Sequence, residues 1–379
     1  MTKLAIDLTY QPVGGALAQI KEIINNVNSF NFDIVVFYLA KENIILLDGI
    51  VSDKVILNIV PFSTKSIIIR TIWAQLFLPV SLVINNIDLL FCPGNISPII
   101  NIKKKVQWIG TVGPFEKNFI SSFRLKEKII LTITKYLIIF SSFTSDIVIF
   151  ESNYTRDLFV AKYMQKLEKS KVLHIGNDVF FQSGKVNFSE ISNKFCDEEY
   201  ILMVSHLYPY KNIELMIDSY HHAQLKKTGL CVLIAGSTSD KQYYDSLKSK
   251  VEKYDLADYI IFLGRVEKHD LRDLYSKCKF LVFTSPFENF AYTLVEAMSC
   301  SAPIISTNTT AMPETCGDAA LYFAPDSEQE LTECMLAFIE NEDMRKKYKG
   351  RSLAKSSEYE IYSVINKKTN QILEKLIYA

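Results

Sequence analysis

"IIFLGRVEKHDLRDLYSKCKFLVFTSPFENFAYTLVEAMSCSAPIIST", residues 260–307, decides the architecture. Three short apolar runs, YIIFLG (259–264), FLVFTS (280–285) and APIIST (302–307), are separated by two stretches of helical periodicity at 268–277 and 292–300. Apolar runs this short, with no polar alternation, suit strands covered on both faces. Strands that alternate with helices in this order lie parallel in one sheet.

The same rhythm extends outward. YILMVS (200–205) precedes a helix expected at 212–225, and LCVLIAG (230–236) precedes one at 240–254. Residues 199–360 therefore read as one α/β domain. Upstream, KLAIDL (3–8) leads through Gly14-Gly15 into a helix near 16–29, followed by strands DIVVFYL (33–39), DLLFC (88–92), KVQWIG (105–110) and DIVIFES (146–152). That makes residues 1–180 a second α/β domain. The polar, aperiodic residues 181–198 suit a connection between the two. Residues 361–379 read as an amphipathic C-terminal helix expected to pack back toward the N-terminal domain.

Length and composition agree with two folded domains: 379 residues, of which 49% are hydrophobic. Net charge is zero, yet residues 1–178 hold 19 Lys/Arg against 14 Asp/Glu and the remainder 23 against 28. So small a basic excess, with no basic-aromatic patch, gives no reason to expect nucleic acid. The seven cysteines have no C-x-x-C or zinc spacing, which points to reduced thiols and a cytoplasmic location. MTKLAIDLTYQPVGG opens directly on a strand, without a signal-peptide pattern. The longest uncharged run, TIWAQLFLPVSLVINNI (71–87), is short for a span and carries Gln, Pro and two Asn, so no transmembrane helix is expected there.

Ligands of open α/β sheets sit outside the carboxyl ends of the strands, so the post-strand residues carry the chemistry. After 280–285 the chain enters a helix, and free N–H groups at residues 290–293 would face an anion such as a diphosphate. Glu296 inside that helix is placed to accept hydrogen bonds from a ribose diol, and Glu288 before it lies where an attached sugar would be. Two glutamates at this spacing, taken alone, read more readily as a solvated loop acid and a helix-face acid. A second post-strand loop, VSHLYPYKN (204–212), adds His206 and Lys211, the lysine a ready phosphate contact. In QPVGGALAQI (11–20), Gly14 and Gly15 allow a ligand to approach the backbone at a helix start. The sequence has no D-x-D, H-E-x-x-H or G-x-S-x-G, so neither a metal site nor a familiar hydrolase is expected.

At these residues the chain resembles the retaining glycosyltransferases of family 4. The similarity runs through 200–220, through 260–325 and through the E-x7-E pair Glu288/Glu296. More loosely, the first half is similar to bacterial O-antigen mannosyl- and rhamnosyl-type members, through PVGGALAQI, RTIWAQLFLP (70–79), DLLFCPGNISPI (88–99), GPFEKN (113–118) and SNYTRD (152–157). The resemblance implies the GT-B fold, two Rossmann-like doubly wound domains facing across an interdomain cleft. It implies transfer of a hexosyl group from a nucleotide-diphosphate sugar, with retention, no metal and no further cofactor. GDP-mannose is the first expectation for the donor, with UDP- and dTDP-linked sugars behind it. The implied acceptor is a polyprenyl-diphosphate-linked glycan of a surface polysaccharide such as O-antigen.

On the donor side the resemblance assigns Lys211 and His206 to the diphosphate, Val266 to the base and Glu296 to the ribose. Glu288 and the backbone of Asn289, Phe290, Ala291 and Tyr292 would face the sugar and phosphates, and Gly14-Gly15 would approach the diphosphate. Glu288 and Lys211 are the implied catalytic pair. Three positions depart from the family pattern. Ala291 replaces a glycine, His206 replaces an arginine with a pH-dependent cation, and Gly110-Thr111 stands on the acceptor side in place of His-Asp. Residues 121–140, SSFRLKEKIILTITKYLIIF, combine basic residues with a wide apolar face. They suit either peripheral docking on the cytoplasmic membrane face or a core helix with a basic edge. The alternative from another class is a catalytically silent nucleotide- or glycan-binding protein of the same fold.

Overall fold

The apolar runs become the buried strands of two parallel sheets. The computed structural model describes residues 1–10, 12, 14–47, 52–63, 66–100, 102–121, 123–163, 167–182, 199–238 and 240–378. Two compact units result, Met1–Gly176 with Glu360–Ala379, and Asn177–Tyr359.

In the first unit β1 (Lys3–Leu8), β2 (Ile34–Ala40), β3 (Val55–Val60), β4 (Leu89–Cys92), β5 (Lys104–Ile109), β6 (Ile147–Phe150) and β7 (Ser170–Val172) form a sheet in the order 3-2-1-4-5-6-7. In the second, β8 (Tyr200–Val204), β9 (Cys231–Ala235), β10 (Ile260–Gly264), β11 (Phe280–Phe283), β12 (Ile304–Thr307) and β13 (Ala320–Phe323) run in the order 10-9-8-11-12-13. All pairings in both sheets are parallel. Each order reverses direction once, between β1 and β4 and between β8 and β11, and that reversal leaves a crevice at the carboxyl ends of the strands.

Central strands carry no polar face because helices cover both sides. Tyr200–Met203 and Phe280–Phe283 are buried throughout, which is the continuous apolar run seen in the sequence. The strands that sequence reading passed over, β3, β7 and β13, are all edge strands. β3 leaves Ile56, Leu57 and Ile59 exposed, and β7 has three residues. Helices Lys268–Lys277 and Tyr362–Tyr378 start where the periodicity places them, and Lys241–Lys253 is capped by Asp240 accepting from the Tyr243 N–H at 3.0 Å.

The Tyr362–Tyr378 helix belongs to the first unit. Its Ile365 and Leu373 join the core of β1, β4 and helix Gly14–Asn25. The Gly176 Cα lies so close to the Tyr362 backbone that an added Cβ would stand 2.6 Å from its Cα. One residue on, Asn177 Nδ2 donates to the Ser356 carbonyl at 3.3 Å within the second unit. Of the connection read at 181–198, residues 183–198 lie outside the described residues, and Phe181 and Gln182 close a short helix, Val179–Gln182. The described cysteines are free thiols, and Cys196 lies outside the described residues.

Candidate functional site

The reversal between β8 and β11 brings two loops together, and both carry residues singled out above. After β8 the chain must turn sharply under β9. An added Cβ on Gly236 would stand 1.8 Å from the Ser205 carbonyl oxygen, so only glycine fits there. The turn leaves His206 exposed, with Nδ1 2.8 Å from Ser237 Oγ. A single 3₁₀ turn, Pro209–Lys211, then ends at Asn212 in the left-handed region (φ 54°), and helix Ile213–His222 follows.

That turn aims Lys211 across the crevice. Its Nζ pairs with Glu288 Oε1 from the loop after β11, the two side chains being 14% and 18% exposed. It also lies 4.9 Å over the Tyr210 ring. The loops are joined through the backbone as well, since Thr284 Oγ1 donates to the Lys211 carbonyl at 2.7 Å. Burial pulls the Lys211 ammonium toward losing its proton, but Glu288 and Tyr210 outweigh burial and hold it above the ordinary lysine range. The site therefore keeps a fixed positive charge, neutralised in the free protein by a carboxylate.

Hydroxyls fix the loop around Glu288. Its N–H donates to Thr310 Oγ1 at 3.1 Å, Thr309 Oγ1 donates to the Pro286 carbonyl at 2.9 Å, and Thr307 Oγ1 donates to the Ser285 carbonyl at 2.7 Å. Asn289, Phe290 and Ala291 are buried, Phe290 edge-on to Tyr359, so the backbone is what this stretch offers a ligand. Ala291 has φ −83° and ψ 75°, a conformation open to any L-residue, and its replacement of glycine brings no strain. One expectation needs correction. The Tyr292 N–H is not free, because the chain turns tightly at Ala291 and this group donates to the Phe290 carbonyl at 3.0 Å.

Helix Tyr292–Ser299 carries Glu296 one turn further in, where Oε2 accepts from Tyr275 OH at 3.1 Å. Burial pushes the Glu296 carboxyl up to about 8, the Tyr275 hydrogen bond lowers it, Asp178 raises it further and Lys268 offsets part of the rise. Lys268 is ion-paired with Asp178 and lies 4.7 Å over the Phe180 ring. Sequence reading missed Tyr275 and Lys268, both on helix Lys268–Lys277, and Asp178, which act on Glu296 from two separate segments and carry no motif. Val266 is half-buried beyond the carboxyl end of β10, next to Gly264 in the left-handed region (φ 69°).

The remaining candidates lie in the first unit. Gly14 and Gly15 open helix Gly14–Asn25 after β1, while Gln11 and Val13 before them lie outside the described residues. Gly110 and the half-buried Thr111 follow β5, with the Gly110 N–H donating to Asn95 Oδ1 at 2.7 Å. An added Cβ on Gly110 would stand 2.6 Å from Glu151 Oε1, which also accepts from Trp108 Nε1 at 3.0 Å. The space that a side chain at 110 would fill thus holds the buried Glu151 carboxylate. Gly110→Ala should push that carboxylate off Trp108 and destabilise the chain by about 1–2 kcal/mol. Urea unfolding of Gly110→Ala, Glu151→Ala and the double variant checks this. Strictly additive losses would mean that the two residues do not compete for this space.

Comparison with known proteins agrees with the geometry. Residues 185–353 match the family described as Glycosyl transferases group 1. The chain is 26% identical over 200 residues to the serotype-specific mannosyltransferase WbdA of Escherichia coli, covering 51% of this chain and 24% of that protein. It is 32% identical over 151 residues to the O-antigen chain mannosyltransferase RfbU of Salmonella typhimurium, covering 38% and 39%. The matched stretch thus spans well under half the length of either relative. Among solved structures, Anabaena Alr3699/HepE in complex with UDP has the same fold, with TM-score 0.72 and 16% identity over 99% of this chain and 100% of that one. The two parallel-sheet, Rossmann-like units correspond to the GT-B fold.

Proposed function

We propose that the chain is a retaining glycosyltransferase that moves a hexosyl group from a nucleotide-diphosphate sugar onto a lipid-linked surface polysaccharide such as O-antigen. The first choice of donor is GDP-mannose. The observation that carries this reading is the Lys211–Glu288 pair at the β8/β11 reversal, beside the start of the Tyr292–Ser299 helix. The names of WbdA and RfbU support the mannosyl and O-antigen parts, and the UDP held by HepE supports a nucleotide donor.

In this reading the donor diphosphate takes Lys211 from Glu288, and the released carboxylate turns to the donor sugar. The bond from the sugar's anomeric carbon to the diphosphate oxygen breaks, and the acceptor hydroxyl oxygen bonds to that carbon from the same face. The acceptor's proton passes to the departing phosphate oxygen. Lys211 and backbone N–H groups near the helix start stabilise the charge that grows on the leaving nucleoside diphosphate. That division of labour requires no divalent ion.

A thermal-shift panel of GDP, UDP, dTDP and ADP, followed by turnover with the matching sugar nucleotides, tests the reading. One nucleoside diphosphate should raise the melting temperature by mass action, and its mannosyl or other hexosyl derivative should be consumed in the presence of EDTA. Binding without turnover in the presence of a polyprenyl-linked acceptor would favour the silent binding protein. Activity lost to EDTA and restored by manganese would sink the metal-free mechanism.

A further inference from the structure

At the carboxyl ends of the first sheet, the reversal between β1 and β4 gathers polar side chains that the donor reading leaves without a role. The loop after β1 is pinned in place. Thr9 donates to Asp7 Oδ1 through its N–H at 3.0 Å and its Oγ1 at 2.7 Å. Asn43 Nδ2 donates to the Leu8 and Tyr10 carbonyls, at 2.7 Å in each case. The Tyr10 ring then lies against Gly94 beyond β4, where an added Cβ would stand 2.5 Å from its Cδ1. Glycine at 94 is what leaves room for that ring.

Tyr10, Gln19, Trp108 and Glu151 line one hollow at this end of the sheet. Gln19 comes from helix Gly14–Asn25 and is 4% exposed, and its Nε2 has no hydrogen-bond partner among the described residues. A buried amide donor left unpaired costs stability, and an apolar side chain of the same size would not carry that cost. Glu151, 5% exposed, follows β6. Its Oε1 accepts from Trp108 Nε1 and lies against the exposed Gly110, where no side chain covers it. The lining narrows the ligand. A group that accepts from an amide and donates to a carboxylate is a hydroxyl. A diphosphate oxygen accepts but does not donate. It would also meet two acids, Asp7 and Glu151, against one guanidinium, Arg70, all three acting on Tyr10.

We propose that Gln19 and Glu151 form a recognition site for one hydroxyl of a hexose, which accepts from Gln19 Nε2 and donates to the Glu151 carboxylate. The half-buried Tyr10 ring in the same lining gives the pyranose an apolar surface. Such a site discriminates against the deoxy sugar, because the amide is then unpaired again and the carboxylate loses a donor. The choice of a hexose rests on the glycosyltransferase reading; the demand for a hydroxyl rests on the two side chains alone. Neither residue belongs to the donor set assigned above, and both lie within the first unit.

Nuclear magnetic resonance of the full chain tests this, because it has two tryptophans and one of them, Trp108, is bonded to Glu151. Methyl α-mannopyranoside, methyl α-glucopyranoside and methyl α-galactopyranoside are titrated without nucleotide, followed by GDP-mannose and by GDP. At least one sugar should shift the Trp108 indole N–H signal and leave that of Trp73 in place. The deoxy analogue lacking the recognised hydroxyl should leave both unmoved. Gln19→Met should weaken the responding sugar about 10-fold, and Glu151→Gln, which loses a charged acceptor, by more. Gln19→Met should also raise the urea midpoint, since the unpaired amide is gone. A lower midpoint with unchanged sugar affinity would mean that the amide only holds an ordered water, and overturns the proposal. No Trp108 response to any sugar overturns it too. A response to a free hexoside assigns the hydroxyl to the acceptor glycan, and a response to GDP-mannose but to neither GDP nor the hexosides assigns it to the donor sugar. Failure of the donor reading leaves the hexoside titration standing, because no nucleotide enters it.

Discussion

Lys211→Ala should lower kcat/KM for the sugar nucleotide by about 100- to 1000-fold, the range found when one preorganised donor to a developing oxyanion is removed. Its ammonium is held above the ordinary lysine range by Glu288 and Tyr210 despite burial, so in the proposed reaction it would meet the leaving group fully charged. Removing it also leaves Glu288, 18% exposed, without its cation. Glu288→Ala should act differently. It frees Lys211 for the diphosphate, so donor binding holds or tightens, and the loss falls on kcat because the contact to the reacting sugar is gone. Glu296→Ala should chiefly raise KM, because a ribose contact is made equally in the ground and transition states. Steady-state kinetics with the sugar nucleotide and calorimetry with the nucleoside diphosphate separate these outcomes. Identical kinetic signatures from Glu288→Ala and Glu296→Ala would refute the division of roles.

How legible this site was depended on where its parts lie in the chain. Buried central strands write themselves as unbroken apolar runs, so β8 and β11, and with them the loops that carry Lys211 and Glu288, could be placed from sequence. Edge strands such as β3 are half-exposed and read like ordinary loops or helix faces. The pairing of Lys211 with Glu288 joins residues 77 positions apart and follows only once the strand order brings β8 beside β11. Glu296 was visible, but its raised pKa was not, because burial raises it, and that burial, like the groups that modulate it (Tyr275 and Lys268 on one helix, Asp178 on another segment), follows only from packing. Gly110 shows the same limit. Sequence registers a missing histidine there, while the carboxylate that fills its space comes from β6's far end.

Glu296→Gln should remove a pH dependence that wild-type protein shows in both stability and nucleotide affinity. In the unfolded chain this carboxyl titrates near 4.5, and in the folded protein burial raises it to about 8. Between those values the unfolded chain ionises while the folded one stays protonated, so the unfolded state holds fewer protons and stability falls as pH rises. The contribution is complete below about 4.5 and gone by about 8. Glutamine cannot ionise, so variant and wild type should melt alike near pH 4.5, and the variant should melt several degrees higher near pH 8. Affinity follows from the same group. A ribose diol donating two hydrogen bonds favours the carboxylate, so nucleoside diphosphate binding should expel a proton and tighten as pH rises toward 8. Glu296→Gln should lose that rise in affinity. Calorimetry across the neutral range in buffers of different ionisation enthalpy reads proton release directly. Parallel melting curves against pH for wild type and Glu296→Gln, with equal proton release on binding, would mean that this carboxyl is ionised in the free protein and that its burial does not govern the site.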